Sequence, residues 1–86
     1  MMIETLGMKR LATWMRRRGH SQEKMGRLAG VSQETISRYL SGTTRPKPDI
    51  AVKIEVLTSG RVKLSHWFSD LLAAQKAARV TTEDAE

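Results

Sequence analysis

The apolar residues of this chain recur mostly at helical spacing, and we expect five helices and no strands. The first helix is predicted over residues 4–18, where Leu11, Trp14 and Met15 form an i, i+3, i+4 stripe. Three consecutive arginines give its last turn a positive charge that suits the helix dipole, and Gly19 is expected to end it.

Two shorter helices follow, joined by one tight turn within residues 21–42. Ser21 and Ser32 are good N-caps for them, and Gly30 and Gly42 are expected to end them. The side chains expected to face the core are Met25, Leu28, Ala29, Val31, Ile36 and Leu40.

A proline-containing loop over residues 43–48 leads to a fourth helix, which Pro48 opens and Gly60 closes. Its core stripe is Ile50, Ala51, Ile54 and Leu57. A fifth helix is predicted with Ser65 as its cap, and its apolar residues are Trp67, Phe68, Leu71 and Leu72, then Ala74, Ala77 and Ala78. Residues 1–79 are thus expected to form a single all-α domain, and residues 80–86 a flexible acidic tail.

The positive charge of the chain is concentrated in its first half. The net charge is +6, yet residues 9–47 hold ten Lys or Arg against only Glu23 and Glu34, a local excess of +8. A one-sided basic surface favours a polyanion such as nucleic acid.

The chain has no cysteine, which excludes disulfides and cysteine-based metal sites. No apolar run approaches the roughly 20 residues that span a bilayer, and the N-terminus does not resemble a signal peptide. We therefore expect a soluble cytoplasmic protein without a membrane partner. The sequence also lacks clustered histidines, a glycine-rich phosphate loop and paired acids in an apolar setting, so we expect neither an enzyme nor a cofactor.

The segment over residues 21–42 has the residues that two closely crossing helices need: a small residue at the crossing, a glycine in the turn and an apolar residue after it. Gly26, Gly30 and Val31 occupy these places. The opposite side of the second helix presents Gln33, Glu34, Thr35, Ser37, Arg38 and Ser41. This arrangement predicts a helix-turn-helix that reads duplex DNA.

The same segment resembles the helix-turn-helix of the lambda repressor and Cro family of phage and bacterial regulators. The matching residues are Ser21-Gln22-Glu23, Met25, Ala29-Gly30-Val31-Ser32, Thr35-Ile36-Ser37-Arg38 and Ser41-Gly42, within a similarity over roughly residues 8–60. The resemblance implies a compact lambda-repressor-like domain whose third helix enters the major groove. His20 stands where the family often has an apolar residue. Gly26 stands where the family often has alanine, and glycine at this position makes the helix less stable than alanine would by about 1 kcal/mol.

The resemblance further implies that the base-reading residues are Gln33, Glu34, Thr35, Ser37 and Arg38. Glutamine can pair with adenine at two points, glutamate can accept from cytosine, and a threonine methyl can contact thymine. Glu34 has an alternative role at the helix dipole, since an acid facing phosphates is unfavourable unless it contacts a base. Arg38 can reach a guanine or a phosphate.

The phosphate-binding residues that the resemblance implies are Gln22, Ser41, Thr43, Thr44, Arg45 and Lys47. We expect contact from two or three of the last five. Gln22 matches the family glutamine that binds phosphate at the start of the second helix and braces the glutamine of the third. Tyr39 either packs in the core or offers its hydroxyl to a phosphate. The arginines at 16–18 are either a solvated charge run or further phosphate contacts.

The apolar stripe of the fifth helix is larger than a four-helix core needs, and it predicts homodimerisation through residues 61–79, with core packing as the alternative. The predicted interface residues are Trp67, Phe68, Leu71 and Leu72. A dimer would read two half-sites about 34–36 Å apart on one face of double-stranded DNA. We therefore predict a homodimeric transcriptional repressor of an inverted-repeat operator. The alternative is an antitoxin-type protein that binds a partner toxin and represses its own operon.

Overall fold

The computed structural model describes residues 5–76, and these residues form helices without a strand. The α-helices are α1 (Leu6–Arg18), α2 (Gln22–Ala29), α3 (Gln33–Ser41) and α4 (Pro48–Leu57). A 3-10 helix over Leu64–Phe68 then leads directly into an α-helical segment over residues 69–76, called α5 here. The predicted all-α fold with five helices is confirmed. The predicted tail and the alanines at 77 and 78 lie outside the described residues.

The helix ends in the first half of the chain are set by residues close in sequence. The Ser21 hydroxyl accepts a hydrogen bond from the Lys24 amide at 3.1 Å, and the Ser32 hydroxyl accepts one from the Thr35 amide at 3.1 Å. Gly30 follows α2 with a φ of 76°, a left-handed conformation that glycine adopts without steric cost. These predicted caps are confirmed. The first helix begins later than predicted, with Thr5 as its N-cap.

The core lies where α1, α2, α3 and α4 meet, and the 3-10 helix closes it. Its buried members are Leu11, Trp14, Met15, Met25, Ala29, Ile36, Tyr39, Ala51, Ile54, Val62 and Trp67. Tyr39 packs its ring in this core, with its ring centroid 5.9 Å from that of Trp67. The prediction that Leu28 faces inward is wrong, because its side chain is 40% exposed on the outer face of α2.

The end of α4 is held by a buried threonine together with the predicted glycine, since the Gly60 amide donates to the Glu55 carbonyl at 2.8 Å with a φ of 82°. Thr58 is the C-cap, and its hydroxyl donates to the Ile54 carbonyl at 2.8 Å and accepts from the Val62 amide at 3.1 Å. Glu55 adds a second tie, since its carboxylate accepts from the Leu64 amide at 2.8 Å. These bonds fix the turn that directs residues 64–68 back toward α1.

The C-terminal segment differs most from the prediction. Lys63, not Ser65, is the N-cap, and the first helical residues are 3-10 rather than α-helical. Trp67 is only 1% exposed and packs on Gly7 of α1, where a side-chain carbon would overlap the indole ring. Its predicted place in a dimer interface is therefore wrong, since the residue fills the core of its own chain. Phe68 is half-buried against the same core.

The remaining leucines of the predicted stripe are on the surface: Leu71 is 54% exposed and Leu72 is 47% exposed.

Within residues 5–76, no helix combines the length and the apolar character that crossing a membrane requires.

Candidate nucleic-acid interface

The crossing of α2 and α3 is closer than any side chain at position 26 would allow. A side-chain carbon built on Gly26 would lie 2.7 Å from the Val31 carbonyl oxygen, well inside contact distance. The Val31 amide in turn donates to the Gly26 carbonyl at 2.9 Å, which fixes the turn against α2. The prediction that Gly26 is the small residue at the crossing agrees with this geometry, and the glycine lets the two helices approach.

The close crossing presents one side of α3 to solvent. Ile36 and Tyr39 are buried against the domain, whereas the predicted base-reading residues Gln33, Glu34, Ser37 and Arg38 are exposed. Thr35 is half-buried, because its hydroxyl lies 2.8 Å from the Ser32 hydroxyl at the N-terminus of the helix. The structure thus brings the five predicted base-reading residues onto the accessible first two turns of α3.

A groove of about 450 Å³ runs between α3 and the segment that precedes α4. Its lining includes Thr35 and Arg38 from the predicted base-reading set and Thr44, Arg45 and Lys47 from the predicted phosphate-binding set. Two sets that were predicted separately therefore meet along one groove. Its acidic member is Asp49, in the first turn of α4.

Tyr39 also lines this groove, at its boundary with the core. Burial, with a smaller effect of the Asp49 charge, raises the pKa of the Tyr39 phenol. The phenol is therefore a neutral hydroxyl near neutral pH and carries no charge that would repel a phosphate.

The loop after α3 is ordered by hydrogen bonds among its own small polar residues. The Ser41 hydroxyl donates to the Arg38 carbonyl at 3.2 Å and lies 2.8 Å from the Thr43 hydroxyl. The Thr43 amide donates to the same Arg38 carbonyl at 3.0 Å. Ser41, Thr43 and Thr44 are exposed along this turn, and Thr44 lines the same groove as Thr35 and Arg38 of α3.

Arg45 has a carboxylate partner that the sequence did not reveal. Its guanidinium donates to both Asp70 carboxylate oxygens, at 2.9 and 2.6 Å, and to the Trp67 carbonyl at 3.4 Å. It also lies over the Phe68 ring, 5.7 Å from the centroid, with its side chain only 19% exposed. The predicted phosphate contact of Arg45 stays a prediction, and in the structure two guanidinium nitrogens already bind Asp70.

Two further predictions concern the start of α2 and the end of α1. Gln22 is half-buried at the first position of α2, and among the described residues no hydrogen bond joins it to Gln33.

His20 is half-buried and packs edge-on against Trp14, with ring centroids 5.2 Å apart. Partial burial, and then the charges of Lys24 and Arg18, lower the pKa of His20, so its imidazole is neutral near neutral pH.

Comparison with known proteins bears on the same part of the chain. The helix-turn-helix family model matches residues 11–58, from the second half of α1 to the C-cap of α4. No curated protein and no solved structure matched the chain.

Proposed function

The chain belongs to the lambda repressor and Cro type of helix-turn-helix family, whose members are DNA-binding transcription regulators, and we propose that it represses transcription as a homodimer on an inverted-repeat operator. The site of action in this proposal is the cytoplasm of a bacterial cell, on chromosomal or phage DNA. The observation that carries the proposal is the groove beside α3, where the exposed residues of that helix meet those of the following loop.

In the proposed complex, the first two turns of α3 enter the major groove. Gln33 is the main base reader, because an exposed glutamine at a helix start can pair with an adenine edge at two points. Ser37 and Arg38 follow on the same side, one turn further into the helix. Glu34 either accepts a hydrogen bond from a cytosine, or its negative charge interacts favourably with the positive N-terminal end of the helix dipole.

The phosphate contacts in this proposal flank α3 on both sides. Gln22 contributes from the start of α2 and Ser41 from the last position of α3. Thr43, Thr44 and Lys47 contribute from the loop that follows. Contacts of this kind fix the orientation of a protein on the duplex without reading its sequence. Arg45 lines the same groove, and in the structure its guanidinium is paired with Asp70.

The proposed dimer surface is smaller than the predicted one and differently composed. Leu71 and Leu72 supply exposed apolar area on α5, and Leu6 adds more from the start of α1. Leu6 belongs beside them because its amide donates to the Ser69 hydroxyl at 3.1 Å, which ties the beginning of α1 to the beginning of α5. Trp67 has no part in this surface.

Base reading is tested on an operator sequence that the wild-type protein selects from a pool of random duplexes. The affinity of the Gln33→Ala protein is measured for this operator and for operators changed at one base pair at a time. We expect a loss of about 1–3 kcal/mol on the operator and a relaxed preference at one position of each half-site. Ser65→Ala is the control, since this serine is exposed on the 3-10 helix and belongs to none of the proposed contact sets. An equal loss on every DNA sequence would show that Gln33 does not read a base.

Dimerisation is tested by sedimentation of the full chain with and without the Leu71→Lys and Leu72→Lys changes. The proposal expects a dimer that these changes convert to monomer, with loss of cooperative operator binding. A wild-type chain that stays monomeric alone, but forms a tight complex with a second small protein through the same leucines, would instead indicate the antitoxin-type alternative.

A further inference from the structure

A second basic groove lies along α1 and ends at the turn after α4. It has a volume of about 490 Å³, and five of its lining side chains are cationic: Lys9, Arg10, Arg17, Arg18 and Arg61. Among the described residues, neither α2 nor α3 nor the loop over residues 42–47 contributes to its lining, and no described lining residue is acidic. The groove is therefore a different surface from the one beside α3.

Three of the five cations in this groove have no carboxylate partner within the described part of the chain. Arg10, Arg17 and Arg61 are exposed, and among residues 5–76 no carboxylate lies within 4.0 Å of their guanidinium groups. Arg27 and Arg45 differ, because they face Glu23 and Asp70 respectively. Like charges on one face of a helix repel each other, so an anion in this groove would relieve a repulsion that the fold leaves in place.

The cations are arranged along a line rather than around a point. Arg10, Trp14 and Arg18 are spaced i, i+4, i+8 along one side of α1, which separates the first from the last by about 12 Å along the helix axis. Arg61 faces this line from the turn after α4. A single small anion would contact only part of the line, whereas an extended chain of negative charges would contact all of it.

The lining also offers a neutral hydrogen-bond donor between the cations. Thr13 belongs to the lining and is half-buried, and its hydroxyl can donate a hydrogen bond. The Arg18 guanidinium lies 5.5 Å from the centroid of the Trp14 indole, a cation–π contact at the edge of the same groove. Arginines with neighbouring neutral donors are the combination that proteins commonly use to bind phosphate oxygens.

We propose that this groove binds a phosphodiester backbone, as a nucleic-acid contact separate from the one made by α3. The backbone belongs either to the continuation of the bound duplex or to a second duplex, and the chemistry of the contact is the same for both. The inference rests on the groove and the DNA-binding family, and it is independent of which operator α3 reads. Its consequence is that the domain contacts nucleic acid through two different surfaces.

The test compares two triple variants with equal loss of charge. The groove variant carries Arg10→Gln, Arg17→Gln and Arg61→Gln, and the control variant carries Arg16→Gln, Lys53→Gln and Lys76→Gln at exposed positions outside the groove. Both lower the net charge by three, so they weaken the long-range attraction to DNA to a similar extent. Only the first removes cations that line the groove, namely the three without a carboxylate partner.

The measurement is the salt dependence of affinity of each full-length variant for random-sequence duplexes of 12 and 40 base pairs. Affinity falls as salt rises, and each phosphate contact adds about 0.9 to the steepness of log affinity against log salt. We therefore expect the groove variant to make this dependence less steep by about 2–3 on the longer duplex. The control variant should lower it by less than about 1. Equal slopes for the two variants on both duplexes would overturn the proposal.

The source of the backbone is resolved by mixing two 12-base-pair duplexes labelled as donor and acceptor for energy transfer. A transfer signal that the groove variant loses and the control variant keeps indicates a second duplex. A defect of the groove variant confined to the longer duplex, without such a signal, indicates the continuation of one duplex. Unchanged DNA binding together with lost binding to poly-glutamate would overturn the proposal in favour of an acidic protein partner.

Folding is controlled by unfolding curves and by a charge-conserving variant. Arg10→Lys, Arg17→Lys and Arg61→Lys together keep the net charge and should restore most of the slope on the longer duplex. Should the glutamine variant not fold, the single changes Arg17→Gln and Arg16→Gln make the same comparison one residue apart. The expected difference in slope between them is about 1.

Discussion

The helix-turn-helix and the C-terminal segment are held in place by opposite kinds of interaction. In the helix-turn-helix, the capping bonds of α2 and α3 join residues three apart, as from Thr35 to Ser32. In the C-terminal segment, the bonds that matter span much of the chain: Arg45 to Asp70 is 25 residues and Leu6 to Ser69 is 63. The first region is specified locally, whereas the second takes its conformation from the rest of the domain.

This difference explains why one apolar stripe was interpreted correctly and the other was not. The stripe of α3 belongs to a regular α-helix with 3.6 residues per turn, so Ile36 faces the core as expected. The C-terminal stripe begins in a 3-10 helix with about three residues per turn and then changes to an α-helix. The change of period separates Trp67, which turns inward, from Leu71 and Leu72, which stay exposed.

The largest expected effect tests whether the C-terminal segment is part of the core. Trp67→Ala should lower the free energy of unfolding by about 3–5 kcal/mol, because it removes a fully buried indole from the chain's own core. The measurement is urea unfolding at two protein concentrations a hundredfold apart, with Val56→Ala, at a side chain that is 73% exposed on α4, as the control. A loss that appears only at the higher concentration would instead place the tryptophan in an interface between chains.

The next effect tests how close the helix-turn-helix crossing is. Gly26→Ala gains about 1 kcal/mol in helix propensity, but its new carbon would meet the Val31 carbonyl at 2.7 Å. We expect the overlap to dominate and to lower the free energy of unfolding by about 1–2 kcal/mol in all. Lys24→Ala, on the exposed side of the same helix, should leave stability nearly unchanged. A Gly26→Ala protein more stable than the wild type would show that the crossing is looser than described.

A smaller effect tests the local specification of α3. Ser32→Ala removes the hydroxyl that accepts from the Thr35 amide, and loss of such a cap costs about 1 kcal/mol. Ser37→Ala serves as the control, because this exposed serine lies within the same helix and caps nothing. Thermal unfolding followed by circular dichroism measures both. If the two variants lose the same stability, α3 does not depend on its cap.

The smallest effect tests the long-range ion pair. The hydrogen bonds from Arg45 lower the pKa of the Asp70 carboxyl below its ordinary value of 3.8. The pair therefore contributes stability when the pH is above that value, and the contribution is lost as the pH falls through the lowered pKa and the carboxylate is protonated. Asp70→Asn should unfold at a slightly lower temperature than the wild type near pH 7, and the difference should shrink below pH 4.

The same pair can be isolated by combining Asp70→Asn with Arg45→Gln. If the two groups interact as described, the double variant should lose less stability than the two single losses added together. Strict additivity at pH 7 would mean that the ion pair does not stabilise the C-terminal segment.

The features that the sequence predicted correctly are those encoded within a few residues. Ser21, Ser32, Gly30 and Gly42 set the helix ends, and the periodicity of α3 separates its buried side from its exposed side. The five predicted base-reading residues share an accessible surface for the same reason. Their contact with bases stays a prediction.

The features that sequence reasoning missed depend on distant partners or on distances between backbones. Nothing near Arg45 in the sequence indicates Asp70, and nothing near Trp67 indicates that Gly7 leaves room for it. Gly26 was recognised as a small residue at the crossing, but only the 2.7 Å approach to the Val31 carbonyl shows that alanine does not fit there. A periodic pattern also cannot show that a 3-10 turn will interrupt it.

The packing of Trp67 on Gly7 has a consequence for how this sequence can change during evolution. Glycine inside a helix is unfavourable by about 1 kcal/mol relative to alanine, so position 7 should drift to alanine unless something opposes it. The indole ring opposes it, because any side chain at position 7 would occupy the space of the ring. In an alignment of relatives, the two positions should therefore covary. A side chain at position 7 should accompany a smaller residue at position 67, and independent variation of the two would argue against the contact.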